Sequence, residues 1–245
     1  MNLETLRLQI KPMLIGTEFC GKVYFAGGCV RDWELEVEKS GGREVEGFGV
    51  FAADVDISVD LPNGGIRLAE YLCPKLEGED YCSYPAYGTA KFSAGGTTLE
   101  FVATRKEVYK LGNRYPKVFP GTLADDVLRR DFTINALLMN AKTGEILDLC
   151  SMGLSDLQQG TIRCVGEPFH KFNEDPLRLL RALRFALRFG FRIEPGTYNA
   201  MKSEDGLISQ LSARSIEAEL QKMLQYCAPQ TVQQEIYKLG WKLSV

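Results

Sequence analysis

Apolar residues in the first fourteen positions recur at helical spacing. Leu3, Leu6 and Ile10 share one face of MNLETLRLQIKPML, so a helix is expected over Met1–Leu14. Lys22–Ala26 is a short β-type run ending at Gly27-Gly28, and a helix should begin near Cys29. Glu34–Gly49 is acidic and glycine-rich without a period, and reads as a loop. Val55–Val59, inside ADVDISVD, alternates as a strand does, and Ile66–Leu76 reads as a helix. Thr89–Phe92 and Thr97–Ala103 flank Ala94-Gly95-Gly96, a hairpin signal. Arg105–Thr122 holds Gly112, Pro116, Pro120 and Gly121 and reads as a mobile loop. A helix is expected over Leu123–Leu138 and a second hairpin over Met139–Leu149, turning at Lys142-Thr143-Gly144. Strand signals stop at about Cys150. Asp175-Pro176 then opens a helix that runs to Phe189 and ends at Gly190, and Ser212–Tyr226 is another. The expected fold class is α/β (α+β): a mixed-sheet domain over 1–149 followed by an all-helical domain over 150–245.

Composition narrows this picture only a little. The 245 residues are 45% hydrophobic and 25% charged, which suits a packed globular chain. A net charge of −3 gives no global attraction for nucleic acid, so any such contact must come from local basic clusters. Seven cysteines without CxxC spacing and a single histidine, His170, argue against a zinc site or a disulfide framework and for reduced thiols in a cytoplasmic protein. The N-terminus does not read as a signal peptide, and no apolar run reaches the ~20 residues of a bilayer span, so no membrane role is expected.

Four constellations carry candidate chemistry. Asp54 and Asp56, at i and i+2 on a strand, point to one face and can share a pair of Mg²⁺ ions, with Glu100 as the natural third carboxylate. Such a two-metal site activates an attacking hydroxyl and stabilises departing pyrophosphate. Taken alone, a DxD pair is more often a solvated strand face. Gly27-Gly28 at a strand–helix junction lets the backbone approach a triphosphate, and Arg31 adds charge-assisted bonds; the bland alternative is an ordinary strand–turn–helix. Arg129–Leu137 puts two arginines, Asp131 and Asn135 on one expected helix, in a pattern suited to phosphates and ribose hydroxyls or simply to a salt-bridged surface. Arg178, Arg181, Arg184, Arg188 and Arg192 follow Asp175 with no acidic residue before Glu194. Arg181, Arg184 and Arg188 form a stripe opposite Leu179, Leu183 and Ala186, which reads as an uncompensated basic face for a polyanion. Asp175 before Pro176 is also a standard helix cap.

Four segments in this order, GGCVRD (27–32), DVD (54–56), RRDFTINAL (129–137) and EDPLRLLRALRF (174–185), resemble the class II tRNA nucleotidyltransferase and bacterial poly(A) polymerase family, over about Val23–Leu224. The resemblance implies a DNA polymerase beta-like catalytic head with a helical neck, ATP or CTP as substrate, Mg²⁺ as cofactor and an RNA 3′-OH as nucleophile. It implies Asp54 and Asp56 as metal ligands, and Gly27, Gly28, Arg31 and Asp32 as the triphosphate holders. Arg130, Asp131 and Asn135 would contact ribose or phosphates. Asp175 and Arg178 would read the base edge, and Arg181 and Arg184 would face phosphates. Phe101–Arg105, Glu107 and Tyr109 resemble the tRNA enzymes, which favours CCA or A addition over poly(A) synthesis; a poly(A)-type polymerase and a non-catalytic RNA-binding relic are the alternatives. Three departures stand out. The stretch from Asp32 to Asp54 is long, Ala213 stands where glutamate is common in the fifth motif, and the family's body and tail are expected to be absent.

Overall fold

The computed structural model describes residues 2–39, 54–110 and 113–243. In chain order, the elements are α1 (Leu3–Leu14), β1 (Val23–Ala26), α2 (Gly28–Lys39), β2 (Asp54–Val59), α3 (Gly64–Leu72), β3 (Glu79–Tyr84), β4 (Thr89–Ala94), β5 (Thr97–Ala103), β6 (Arg105–Lys110), β7 (Asn113–Pro120), α4 (Leu123–Leu128), β8 (Leu138–Asn140), β9 (Ile146–Leu147), α5 (Gly153–Gln158), β10 (Thr161–Ile162), α6 (Pro168–Glu174), α7 (Leu177–Phe189), β11 (Arg192–Ile193), α8 (Pro195–Ser203), α9 (Ala213–Leu224) and α10 (Pro229–Lys238). They form two compact units. The first holds Met1–Glu107, Val118–Arg129 and Asn135–Gly153; the second holds Val108–Lys117, Arg130–Ile134 and Leu154–Val245.

The first unit is built on a seven-stranded mixed sheet of order β3-β4-β5-β2-β1-β8-β9, in which only β2 and β5 pair in parallel. Alternation sorts its residues. Val55, Ile57 and Val59 of β2, Leu99 and Phe101 of β5, and Ala90 and Phe92 of β4 are buried, and the Phe92 and Phe101 rings stack at 5.2 Å. α3 covers this side with Leu68, Ala69 and Leu72. Gly65 lets it come close, since a Cβ there would lie 2.7 Å from the Gly88 carbonyl oxygen. Gly95 and Gly96, at φ 55° and 76°, make the tight β4–β5 turn. The second unit is mainly helical. α7 packs on α6 and α9, with Leu179, Leu180, Leu183, Phe172 and Met223 buried, and Gly190 ends α7 in the left-handed region at φ 68°.

Several expectations needed correction. Glu34–Lys39 is helical, as the end of α2, with Lys39 in the last turn, where a cation suits the helix C-terminus; the remainder of the expected loop, Ser40–Gly49, and the extra length before Asp54 lie outside the described residues. Arg105–Lys110 and Asn113–Pro120 pair as a two-stranded ribbon, β6 with β7, where a loop was expected. Its side chains alternate, with Arg105, Glu107 and Tyr109 half-buried and Lys106 and Val108 exposed, and the prolines of β7 are tolerated because a two-stranded ribbon consists of edges. The helix expected over Leu123–Leu138 stops at Leu128. Beyond it, Thr133 N–H donates to the Arg163 carbonyl (2.9 Å) and Val165 N–H to the Asp131 carbonyl (3.0 Å), so the RRDFT run pairs with another segment, and Thr133–Asn135 forms a 3₁₀ turn instead of a continued α-helix. β3 was not foreseen, and the strands β10 and β11 lie beyond Cys150, where none were expected. No helix among the described residues is long and apolar enough to cross a membrane.

Candidate active site

Strand register builds the centre of the first unit. Asp56 lies opposite Ala26 of β1 on one side and opposite Glu100 of β5 on the other, and Asp54 lies opposite Thr98. Because side chains alternate, Asp54, Asp56 and Ser58 share the face away from α3. Both aspartates are exposed there. Ala26 leads straight into Gly27-Gly28, so the acidic pair sits beside the diglycine turn.

That turn depends on glycine. Gly27 has φ 73°, its N–H donates to the Leu137 carbonyl (3.2 Å), and its carbonyl accepts from Arg31 N–H (3.1 Å) as α2 begins. A Cβ on Gly28 would lie 3.4 Å from an Arg31 guanidinium nitrogen. Arg31 is therefore tucked beneath the turn. It is 3% exposed, its Nε donates to Asp32 (2.7 Å), and a terminal nitrogen donates to the Asn135 side-chain oxygen. The first-turn N–H groups of α2, which have no acceptor within their own helix, face the end of the strand. Gly27, Gly28, Arg31, Asp32 and Asn135 are thus one assembly beside Asp54 and Asp56.

Glu100 is held above the ordinary carboxylate range, first by burial and then by the neighbouring Asp56 and Asp54 charges, against the opposing pull of Lys91 and Arg105. A raised carboxyl stabilises the fold as pH falls through its shifted value, and that contribution is missing at neutral pH. Glu100→Gln is therefore expected to stabilise the metal-free protein at pH 7–8 by up to ~1 kcal/mol, the scale of like charges opposed across strands. Denaturant titrations at several pH values check this. The gain should shrink as pH falls toward the ordinary carboxylate range, and a destabilised variant would contradict the shared-charge picture.

A network that sequence reasoning missed adjoins the acidic row. Ser58 Oγ donates to Asp126 Oδ2 (3.1 Å), and Asp126, fully buried, accepts from Arg129 Nε (2.8 Å). Arg129 also faces Glu107 (3.7 Å), which accepts from Arg105 Nε (2.9 Å). The i, i+2, i+4 alternation of Asp54, Asp56 and Ser58 was the only signal in the sequence that could have pointed to it.

In the second unit the arginines of α7 have partners, which corrects the expectation of an uncompensated stripe. Glu174 lies one turn before Arg178, while Asp131 and Glu219 come from distant segments that a scan along the helix cannot see. Arg178 donates to Glu174 (2.8 Å) and to the Lys171 carbonyl (3.0 Å), and lies over the Tyr109 ring. Arg181 Nε donates to Asp131 Oδ2 (2.7 Å). Arg184, 8% exposed, donates to Glu219 (2.6 Å) and stacks on Phe185. Arg188 lies over Phe189 and Tyr226, and Arg192 donates to Thr161. Asp175 accepts from Leu177 N–H through Oδ1 (3.1 Å), the capping bond its place before Pro176 suggested. Arg130 is half-buried in this unit.

No three His, Cys, Asp or Glu side chains among the described residues are gathered to enclose an ion by themselves. The donors on β2 are two exposed carboxylates on one face. That set fits a hard cation such as Mg²⁺, which takes one or two carboxylates and completes its shell with water and substrate phosphates. Burial pushes the Cys164 thiol up to about 12, so it stays a neutral thiol.

Residues 23–163 match the poly A polymerase head domain family. A CCA-adding enzyme of Limosilactobacillus fermentum is 33% identical over 230 residues, which are 91% of this chain and 52% of that protein. An A-adding tRNA nucleotidyltransferase of Aquifex aeolicus is 38% identical over 184 residues, 74% of this chain and 20% of that one. Among solved structures, the Thermotoga maritima CCA-adding enzyme complexed with tRNA-CCA superposes with a TM-score of 0.76 at 28% identity, covering 97% of this chain and 50% of that one. The chain spans about half the length of the CCA-adding relatives it matches. With the strand carboxylates beside a diglycine turn and this match over most of its length, the chain belongs to the poly A polymerase head-domain family, that of the class II tRNA nucleotidyltransferases.

Proposed function

We propose that the chain adds CMP, AMP or both from CTP and ATP to the 3′ end of a tRNA in the cytoplasm, without a nucleic-acid template. The first unit supplies the catalytic head and the second the nucleotide-selecting neck. The observation that carries this reading is the register that sets Asp56 between the diglycine turn and Glu100. The CCA-adding and A-adding relatives favour tRNA over other acceptors.

In this reading Asp54 and Asp56 hold a pair of Mg²⁺ ions, which when bound neutralise the triphosphate and lower the pKa of the attacking 3′-hydroxyl. The backbone N–H groups of Gly28 and the first turn of α2 hold the triphosphate oxygens. Arg31, locked to Asp32 and Asn135, fixes the shape of that turn. Glu100 orients the acceptor hydroxyl from the opposite side of Asp56. Asp175 and Arg178 read the edge of the incoming base: one Asp175 oxygen caps α7 and leaves the other to accept, while the Arg178 fork is oriented by Glu174. Arg130 and the Asp131–Arg181 pair contact ribose or phosphate, and Arg184 frames Arg181 through Glu219.

Incubation with labelled CTP or ATP, Mg²⁺ and tRNA lacking its 3′ end tests the reading. Incorporation of C, A or both at the 3′ end is expected. RNA binding without incorporation would overturn it in favour of a binding relic, and long A tails on arbitrary RNA would favour a poly(A)-type enzyme. Asp175→Asn is expected to relax the choice between CTP and ATP by a few kcal/mol, with a smaller effect on the rate for the preferred nucleotide, because a base-edge acceptor becomes a mixed donor and acceptor. Unchanged selectivity in competition assays would refute its template role.

A further inference from the structure

The polar face of the sheet continues past Glu100. Across the strands, Asp56 of β2 lies opposite Glu100 of β5, Glu100 opposite Lys91 of β4, and Lys91 opposite Cys82 of β3. The next row, two residues along, runs Ser58, Val102, Thr89 and Tyr84. Directly opposed residues share a face, so all eight lie on the side away from α3. Lys91 is exposed and Tyr84 is 44% exposed. Lys91 is close enough to Glu100 for its charge to act on that carboxyl, and Tyr84 stands two residues along β3 from Cys82 on the same face. Strands lie ~4.8 Å apart, so Lys91 is roughly 10 Å and Tyr84 roughly 14 Å from the strand that carries Asp56.

Phosphoryl transfer gives this row a direction. The attacking and leaving oxygens stand roughly in line across the phosphorus. The diglycine turn, on the β1 side of Asp56, takes the leaving pyrophosphate, so the acceptor hydroxyl must approach from the β5 side. The strand behind that hydroxyl then runs outward over β4 and β3. On that path stand one cation and one exposed aromatic ring, the pair of groups that tracks a single-stranded backbone and stacks a base.

We propose that Lys91 and Tyr84 form an acceptor track: Lys91 binds a backbone phosphate one or two nucleotides before the 3′ end, and the Tyr84 ring stacks on a base there. This rests on the transferase reading, because the 3′-hydroxyl is what anchors the strand at Glu100 and Asp56. The occupant is the single-stranded 3′ end of an RNA, favoured by continuity with the carboxylate row and by the positive charge of Lys91.

Steady-state kinetics with tRNA lacking its terminal nucleotides tests the track. Lys91→Ala and Tyr84→Ala are each expected to raise KM for the RNA about tenfold, with kcat and KM for the nucleotide within about twofold of wild type. Lys91→Arg should restore most of the loss, and Tyr84→Phe should behave as wild type. In Lys91→Ala the slope of log KM against log salt should become shallower by about 0.7, the loss of one single-strand phosphate contact. Thermal unfolding of each variant separates a folding defect from a binding one. An unchanged RNA KM and salt slope in a folded, active Lys91→Ala overturns the track while the transferase reading stands. A fall in kcat alone, with RNA KM unchanged, assigns Lys91 to tuning Glu100 and likewise overturns it. Wild type that binds but never extends RNA removes both.

Discussion

Asp56→Ala is expected to abolish nucleotide transfer, lowering kcat by roughly 10³-fold or more, while the protein remains folded. The rate loss follows from the chemistry: a carboxylate that holds the metal stabilises charge in the transition state by several kcal/mol. The intact fold follows from the structure. Asp56 is exposed, its strand is held through backbone pairing to both β1 and β5, and the core residues Val55 and Ile57 face the other way. Removing it also relieves the charge that lifts Glu100. Single-turnover assays beside thermal melts check both halves. Activity within tenfold of wild type would exclude the metal role, and a collapsed melt would mean that Asp56 supports the strand instead.

The opposite profile is expected at Glu219. Glu219→Ala should cost ~3–5 kcal/mol, because it leaves the Arg184 guanidinium buried without its carboxylate. Glu219 is 3% exposed and also accepts from Lys222 (2.8 Å), so two cations depend on it. Burial alone would raise its pKa, but the hydrogen bonds from Lys222 and Arg184 outweigh burial and hold it below the ordinary carboxylate range. The pair's contribution is therefore present at neutral pH and lost as pH falls through that lowered value. Replacing Arg184 and Glu219 together with apolar residues of similar volume should recover much of the loss, since neither charge is then stranded. Urea titrations of the two singles and the double close the cycle. A Glu219→Ala cost under about 1 kcal/mol would show that Arg184 finds water or another partner.

Short-range features of the chain were legible in the sequence; pairings between distant segments were not. The strand of Asp54 and Asp56, the diglycine junction, and the Asp175-Pro176 start and Gly190 end of α7 all rest on short-range rules: alternation, positive φ and capping. The failures share a physical cause. RRDFTINAL looked helical by composition, but its backbone bonds reach Arg163, Val165 and Gly27, all distant in sequence. The α7 arginines looked unpaired because Asp131 and Glu219 are distant in sequence. Asp126 gave no warning, since a buried carboxylate inside a short helix differs from a surface one only through Ser58 and Arg129, which tertiary folding brings to it. The β6–β7 ribbon was hidden by Pro116 and Pro120, which usually mark loops but are admitted on a two-stranded ribbon.

The central claim is that Asp54 and Asp56, beside the diglycine turn, grip a divalent ion together with a nucleoside triphosphate. The most direct measurement is calorimetric binding of a non-hydrolysable ATP or CTP analogue, with and without Mn²⁺, to wild type and to Asp54→Asn/Asp56→Asn. Wild type should bind the analogue much more tightly when the metal is present, and the double variant should lose that enhancement while keeping the weak, metal-independent binding at the turn. A metal enhancement that survived in the double variant would place the ion elsewhere and contradict the account.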